Sequence, residues 1–208
     1  MDGRDESPTV SRRHEILLVS AAEFIRSGYA GTSMSKIARA LGMQKASLYH
    51  HFPGKEDLFV ACIDEAFAGT HLRLEAIADD ASLTIRARFE AALDELYAIY
   101  LGQEMGMMPA LIAEAAARIP AIGEQFFDGL FAQQDAAIMK VIEQGVAAGE
   151  FRVENREALV HMIFGPIIMA SMSVQMLSGS SRRDCLVPLD ELRQGHKAML
   201  VAAITRTN

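Results

Sequence analysis

The residues from Gln44 to Lys55 carry hydrogen-bonding and cationic side chains and no carboxylate. Such groups can donate to phosphate oxygens and to the edges of bases in DNA. Lysine can donate to guanine, and a glutamine amide can pair with adenine. The candidate DNA-binding residues are Thr32, Ser33, Gln44, Lys45, Ala46, Ser47, Tyr49, His50 and Lys55.

These candidates divide into two roles. We expect the hydroxyls of Thr32 and Tyr49 and the ammonium of Lys55 to contact phosphates, which position a protein without reading sequence. Lys55 would begin a helix, where free amides and the positive end of the dipole favour an anion. Ala46 would let the helix approach the groove closely. The predicted base-reading residues are Gln44, Lys45, Ser47 and His50.

Two short helices around a tight turn would position these side chains. Apolar residues recur at helical spacing from Met34 to Leu41, with Ser33 or Thr32 as the capping residue and Gly42 at the helix end. Leu48 directs the next helix toward the same core. The pattern predicts a helix-turn-helix motif at residues 33–52, whose second helix fits the major groove. An ordinary helical corner with solvated polar residues is the alternative.

The order Leu-Tyr-His-His-Phe-Pro-Gly-Lys-Glu-Asp-Leu at residues 48–58 resembles the signature of TetR-family transcription regulators. The resemblance extends from Ile16 to about Thr70. Gln44 stands where the family often has a Ser or Thr cap, and glutamine caps poorly, which frees its side chain for DNA. Other matching positions are Phe24, Gly28, Tyr29, Thr32, Ile37, Ala38, Leu48, Tyr49, Phe52, Lys55 and Leu58.

The resemblance implies an all-α homodimer of about nine helices. A three-helix DNA-binding domain would occupy residues 10–70, and a ligand-binding and dimerisation domain residues 71–208. Composition agrees, because half of the 208 residues are hydrophobic and long Ala-, Leu-, Met- and Glu-rich stretches lack alternating β-type runs. The predicted helices outside the motif span residues 11–28, 55–74, 83–101, 108–119, 120–148, 157–177 and 188–205.

The net charge is −7, but the basic and acidic residues are distributed unequally along the chain. Residues 12–55 contain seven basic and two acidic residues, whereas the residues after 60 contain twelve basic and twenty acidic ones. A basic end on an acidic body can dock in one orientation on a polyanion. The distribution therefore favours a nucleic-acid partner at the N-terminal end.

The same inspection argues against several other classes of protein. No apolar run approaches the ~18 residues of a membrane helix, and residues 1–10 are too polar for a signal peptide, so a cytoplasmic protein without membrane contact is expected. Cys62 and Cys185 have no metal-ligand spacing, and no metal or cofactor is predicted. The acidic pairs Asp79-Asp80 and Asp94-Glu95 lie on connectors or outer faces. We therefore predict that the protein is not an enzyme.

The last two predicted helices carry more apolar surface than a monomer should expose. They could form half of a four-helix bundle between two protomers. The predicted dimer-interface residues are Met162, Ile163, Ile167, Met172, Met176, Leu192, Met199 and Leu200.

Aromatic and methionine side chains on the central helices could enclose an apolar ligand chamber. Plain core packing is the alternative for each of them. A second, weaker resemblance, in the stretch around Glu114 and Pro120, is to the acyl- and drug-efflux-type C-terminal branch of the family. The predicted chamber residues are Phe67, Tyr97, Tyr100, Met105, Met108, Phe127, Phe131, His161 and Phe164.

Together these features predict a ligand-responsive repressor. It would bind a palindromic operator as a homodimer and be released by a small apolar or aromatic effector. One alternative is a DNA-binding protein of the same type that is controlled by a protein partner or organises the chromosome. Another is an all-α ligand-binding or catalytic protein that has lost operator binding.

Overall fold

The computed structural model describes residues 11–102 and 106–205, and regular structure within them is helical apart from one isolated bridge between Phe151 and Thr205. The all-α prediction is confirmed. The helices are α1 Arg12–Gly31, α2 Met34–Ala40, α3 Lys45–His51, α4 Lys55–Ala66, α5 Thr70–Asp79, α6 Ile85–Leu101, α7 Met108–Ala116, α8 Pro120–Phe126, α9 Ala132–Ala147, α10 Arg156–Met176 and α11 Leu189–Ile204. A π-helical segment, Phe127–Phe131, joins α8 to α9, and a 3₁₀ turn, Ser181–Cys185, precedes α11.

Two of the predicted helices differ from the helices in the structure. The helix expected at residues 55–74 ends at Ala66, because Gly69 adopts a left-handed conformation with φ 72° before α5 begins. The helix expected at residues 120–148 is continuous but contains the π-helical segment. The described part of the chain therefore has eleven α-helical segments where about nine helices were predicted.

The N-terminal helices share one apolar core. Ile16, Ile37, Leu48 and Leu58 are fully buried in it. Phe59 of α4 packs edge-on against Phe24 of α1, with ring centroids 4.9 Å apart. Cys62 also lies inside this region, and burial raises the pKa of its thiol to about 12, so it behaves as a small hydrophobe.

The C-terminal helices surround a second part of the core, through which a chain of polar groups runs. The Tyr100 hydroxyl donates to Gln134 Oε1 at 2.7 Å, and Gln134 Nε2 donates to Thr70 Oγ1 at 3.1 Å. All three side chains are buried. The chain connects α6, α9 and α5 and satisfies groups whose burial without partners would be costly.

Helix α10 is apolar on two sides. Over its best 18-residue window the mean hydropathy is 1.5, so by length and composition it could cross a membrane, contrary to the expectation from sequence. Ile163 and Ile167 lie in the protomer's core, whereas Met169 and Met176 are exposed. The high hydropathy is explained by a helix that has one face in the core and a second apolar face outside it.

Gly145 on α9 provides a sharp test of the packing. A Cβ there would lie 2.1 Å from Cδ2 of Phe151, which is itself buried against Phe89. We expect Gly145→Ala to lower the free energy of unfolding by about 1–3 kcal/mol, the usual cost of overpacking. Chemical denaturation measures the change. Gly129→Ala is the control, since a Cβ at Gly129 meets nothing within 4 Å; equal effects of the two variants would contradict the close packing.

Candidate DNA interface, effector cavity and dimer face

The helix-turn-helix is built as the residue pattern indicates. The Ser33 hydroxyl caps α2 by accepting from the Lys36 amide at 3.3 Å. Gly42 has φ 61°, and the Met43 amide donates to the Ala38 carbonyl at 2.9 Å, which closes the turn. Leu48 is the one residue of α3 that is buried, and it fixes which side of α3 faces outward.

The outward side of α3 carries the predicted base-reading groups. Gln44 makes no capping hydrogen bond with its side chain, so its amide faces solvent as expected from the sequence. Lys45 Nζ lies 5.6 Å from the centre of the Tyr49 ring, a cation–π distance that directs the ammonium along the exposed face. Also exposed on this side are Ala46, Ser47 and His50.

The structure places Thr32 and Lys55 differently from the prediction. Thr32 is 2% exposed, and its hydroxyl donates to the Gly28 carbonyl at 2.8 Å. The Lys55 ammonium donates to the carbonyls of Tyr29 at 2.9 Å and Thr32 at 3.2 Å, and lies 4.0 Å from the centre of the Tyr29 ring. The prediction that the Thr32 hydroxyl contacts a phosphate is therefore wrong, because its proton is donated inside the buried end of α1. Lys55 stabilises the same end of α1 but is partly exposed, and its contact with a phosphate stays a prediction.

Other basic side chains lie near α3, which we call the reader, and are absent from the predicted DNA-binding residues. Arg39 and His51 are exposed at the ends of α2 and α3. The Arg13 guanidinium lies 4.5 Å from the centre of the Phe52 ring. His51 lies within residues 44–55, which contain no carboxylate, and on this ground the sequence could have placed it among the DNA-binding residues. Arg13 depends on a tertiary contact that the sequence does not reveal.

A cavity of about 250 Å³ lies between α4, α5, α8 and the π-helical segment. Its wall is mostly apolar, with polar groups from Asp64, His71, Gln125 and Gln133. Burial raises the pKa of Asp64. The remaining lining residues are Val60, Ile63, Phe67, Ala68, Ile122, Phe126, Gly129 and Leu130.

Sequence models of two known families match the chain. The bacterial regulatory protein model of the tetR family matches residues 16–62, and the tetracyclin repressor-like C-terminal domain matches residues 77–176. This chain belongs to the TetR family. The matched ranges contain the helix-turn-helix and most of the helices that surround the cavity.

Individual TetR-family proteins are similar over most of their length. The HTH-type transcriptional repressor KstR2 of Mycolicibacterium smegmatis is 25% identical over 156 residues, which are 74% of this chain and 75% of the relative. The structure of a TetR-family transcriptional regulator from Mesorhizobium loti has a TM-score of 0.74 and 23% identity, covering 93% of this chain and 96% of that chain. The regulator FadR of Bacillus subtilis, solved in complex with stearoyl-CoA, has a TM-score of 0.73 and 19% identity, covering 91% and 98%. The two structures show the shared TetR fold.

Four of the predicted chamber residues are brought together. Phe67 lines the cavity, and the Tyr100 ring centre lies 5.9 Å from that of Phe67. Phe164 packs 6.5 Å from Tyr100 and 4.8 Å from Phe131. These rings form one continuous aromatic layer behind the cavity.

The other predicted chamber residues lie elsewhere. Phe127 is 58% exposed, and His161 is exposed with Nδ1 donating to the Glu157 carbonyl at 2.8 Å, so both predictions are wrong. Tyr97 points toward α11 and not toward the cavity. Met108 lines a separate groove of about 410 Å³ beside α1 and α4. Met105 lies outside the described residues.

The structure places only some of the predicted dimer-interface residues on the surface. Ile163, Ile167 and Leu200 are buried within the protomer, so they cannot form an interface surface. Met172 and Leu192 are partly buried. The exposed methionines are Met162, Met169 and Met176 of α10 and Met199 of α11, which we call the methionine face.

Buried His196 holds α11 behind the methionine face. Its Nε2 lies 2.8 Å from the Met162 carbonyl, which can only accept, so Nε2 carries the proton. Nδ1 then accepts from the Tyr97 hydroxyl at 3.1 Å. Desolvation lowers the pKa of His196, which keeps the ring neutral at pH 7. The residue joins α6, α10 and α11.

No group of three His, Cys, Asp or Glu residues within 11–102 and 106–205 could hold a metal ion. Glu114 was not among the predicted site residues, yet its carboxylate reaches from α7 to the backbone of α1. A lone glutamate in an alanine-rich helix gives no sequence signal for such a contact.

Proposed function

We propose that this TetR-family protein is a repressor that binds a palindromic operator as a homodimer and is released by a small, mainly apolar effector. The observation that carries the proposal is the arrangement of α3, which has one buried leucine and an outer side made of exposed hydrogen-bonding groups. We assign DNA binding to residues 10–70, with the motif at 33–52, and effector binding and dimerisation to residues 71–208.

The methionine face supports a homodimer. Its four exposed methionines lie on two helices that contact each other, and a two-fold related copy would cover them. A dimer presents two α3 helices to successive major grooves, so the operator would be a palindrome. The M. smegmatis relative is named as a repressor, which supports repression as the outcome.

The cavity between α4 and α8 supports an effector with an apolar body and at least one hydrogen-bonding group. Its volume of about 250 Å³ lies just below the ~300–1,000 Å³ usual for small-molecule sites. His71 and Gln133 offer polar partners among apolar side chains. The stearoyl-CoA bound by the B. subtilis regulator supports a lipid-derived effector.

The decisive experiment is selection of DNA from a random pool by the full-length protein, followed by binding curves on the selected operator and on scrambled DNA. Enrichment of a palindrome would support the proposal. If no sequence is enriched, the alternative of a protein that does not bind an operator gains support.

Base reading by Lys45 can be separated from phosphate contact. We expect Lys45→Ala to lose about 1–3 kcal/mol for the operator and little for scrambled DNA, since it removes a donor to a base edge. Arg39→Ala, at the exposed end of α2, should weaken both DNAs alike and reduce the salt dependence by about one phosphate. Fluorescence anisotropy at several salt concentrations measures both. Equal losses on the two DNAs for Lys45→Ala would contradict its role.

Two neighbouring phenylalanines, Phe126 and Phe127, allow a controlled test of effector binding in the cavity. Phe126 lines the cavity, whereas its neighbour Phe127 points to solvent. We expect Phe126→Asp to abolish the thermal shift given by fatty acids, acyl-CoA thioesters or aromatic compounds that stabilise the wild type, because a carboxylate in an apolar site opposes their binding. Phe127→Asp should retain the shift. A shift lost in both variants, or in neither, would place the effector elsewhere.

A further inference from the structure

Helix α1 contains a break that exposes backbone donors to another helix. Gly28 has φ 70° and ψ 168°, a conformation open almost only to glycine, and it separates the last turn of α1 from the rest. The amides of Tyr29 and Ala30 come directly after this break, and the first amides of a helical turn have no carbonyl in a preceding turn to which they can donate. Some other group must satisfy them.

Glu114 of α7 supplies both acceptors. Its Oε2 accepts from the Tyr29 amide at 3.0 Å, and its Oε1 accepts from the Ala30 amide at 3.0 Å. A Cβ at Gly28 would lie 2.9 Å from Glu114 Oε2. The glycine therefore provides the backbone conformation and also the space for the carboxylate.

The opposite side of the same turn is held by α4. Lys55 Nζ donates to the carbonyls of Tyr29 and Thr32, and the Thr32 hydroxyl donates to the Gly28 carbonyl. The turn at residues 28–32 thus has its amides bound by a carboxylate from α7 and its carbonyls bound by an ammonium from α4. Helix α2 begins two residues later, at Met34, so the turn sets where α2 and then α3 lie.

The two helices that hold the turn, α4 through Lys55 and α7 through Glu114, are both connected to the walls of the effector cavity. Helix α4 begins at Lys55, and its residue Ile63 forms one wall together with Phe67, which directly follows the helix. Helix α8 follows α7 after a three-residue connection and lines the cavity with Ile122 and Phe126. A ligand that changes the separation of α4 and α8 would move Lys55 and Glu114 relative to each other.

We infer that Glu114 is a positioning residue for operator recognition, through which the effector domain holds the α1 turn that places the reader. The inference rests on the proposed function, since it assumes that α3 reads DNA. A carboxylate with two backbone donors is a strong, charge-assisted contact. Because base reading needs exact placement and phosphate contacts tolerate displacement, loss of Glu114 should affect operator binding more than binding to scrambled DNA.

The test compares Glu114→Ala and Glu114→Gln in the full-length protein, with Glu124→Ala as a control that removes an exposed carboxylate from α8. Operator affinity should fall about tenfold in Glu114→Ala, as expected for loss of hydrogen bonds to a charged group. The fall in Glu114→Gln should be smaller, because one acceptor remains. Affinity for scrambled DNA should change less than twofold in every variant, and Glu124→Ala should match the wild type.

Hydrogen exchange separates positioning from a general loss of stability. We expect faster exchange confined to the peptide that contains Tyr29 and Ala30 in Glu114→Ala, with unchanged exchange in α6 and α9. Operator affinity within twofold of the wild type, or unchanged exchange in that peptide, would overturn the inference. If the wild type selects no operator, the proposed function fails, and the exchange measurement still decides whether Glu114 holds the turn.

Discussion

Replacing Met169 by aspartate should convert the protein to a monomer and lower operator affinity by at least about a hundredfold. Met169 is 61% exposed and lies between Met162 and Met176 along α10. A carboxylate there would be buried without a partner if two methionine faces met, and such a charge is costly. A monomer also contacts only one half of the operator. Joining two DNA-binding modules in a dimer raises the overall affinity by a factor of about 10²–10⁴, and this gain would be lost.

Sedimentation equilibrium at micromolar concentration and operator titration measure the two effects. Leu72→Asp is the matched control, because Leu72 is a comparably exposed apolar residue on α5, outside the methionine face. It should leave the dimer intact. A Met169→Asp protein that stays dimeric and binds operator normally would show that the methionine face is not the interface.

The helix-turn-helix could be predicted from the sequence because the residues that determine it are close together in the chain. Helical spacing of apolar residues, the left-handed Gly42 and the stop at Phe52-Pro53-Gly54 all act within a few residues of one another. The structure accordingly has α2 and α3 inside the range predicted for the motif. Leu48 is buried and its neighbours are exposed, as the pattern indicates.

The contacts of Thr32 and Lys55 with the backbone have a tertiary cause. Their partners are backbone carbonyls of residues 23, 28, 29 and 32, in the part of α1 that contains the break at Gly28. Desolvation in this position lowers the pKa of Lys55. Nothing in the local sequence distinguishes an ammonium that binds a carbonyl of its own chain from one that is free to bind a phosphate.

The error at Phe127 has a different cause, which is the helix geometry. The π-helical segment places an extra residue in the turn, so a face extrapolated from an α-helical period is shifted there. Phe126 consequently lines the cavity while Phe127 is exposed. Likewise, α10 is apolar on both sides, and periodicity alone could not separate Ile163 and Ile167 in the core from the exposed Met169.

Leu48→Ala should strongly weaken operator binding while leaving helices α5–α11 folded. Helix α3 has seven residues, too few for independent stability, and Leu48, 0% exposed, is its single buried side chain. Truncating a buried leucine costs about 2–5 kcal/mol. The substitution therefore destabilises the packing of α3 in particular, because no other residue of this helix is buried. We expect α3 to detach before the rest of the chain unfolds.

Three measurements follow this detachment. Operator affinity should fall at least about thirtyfold, since a loss of 2–5 kcal/mol corresponds to roughly 30- to several-thousand-fold. Amide exchange should rise in α3, and the sedimentation behaviour should stay that of the wild type because the methionine face is formed by α10 and α11. Leu18→Ala is the control: it removes the same atoms from an exposed position of α1, where little transfer free energy is lost. Operator affinity retained in Leu48→Ala would mean that α3 does not read DNA, and the base-reading role of Lys45 would then be wrong as well.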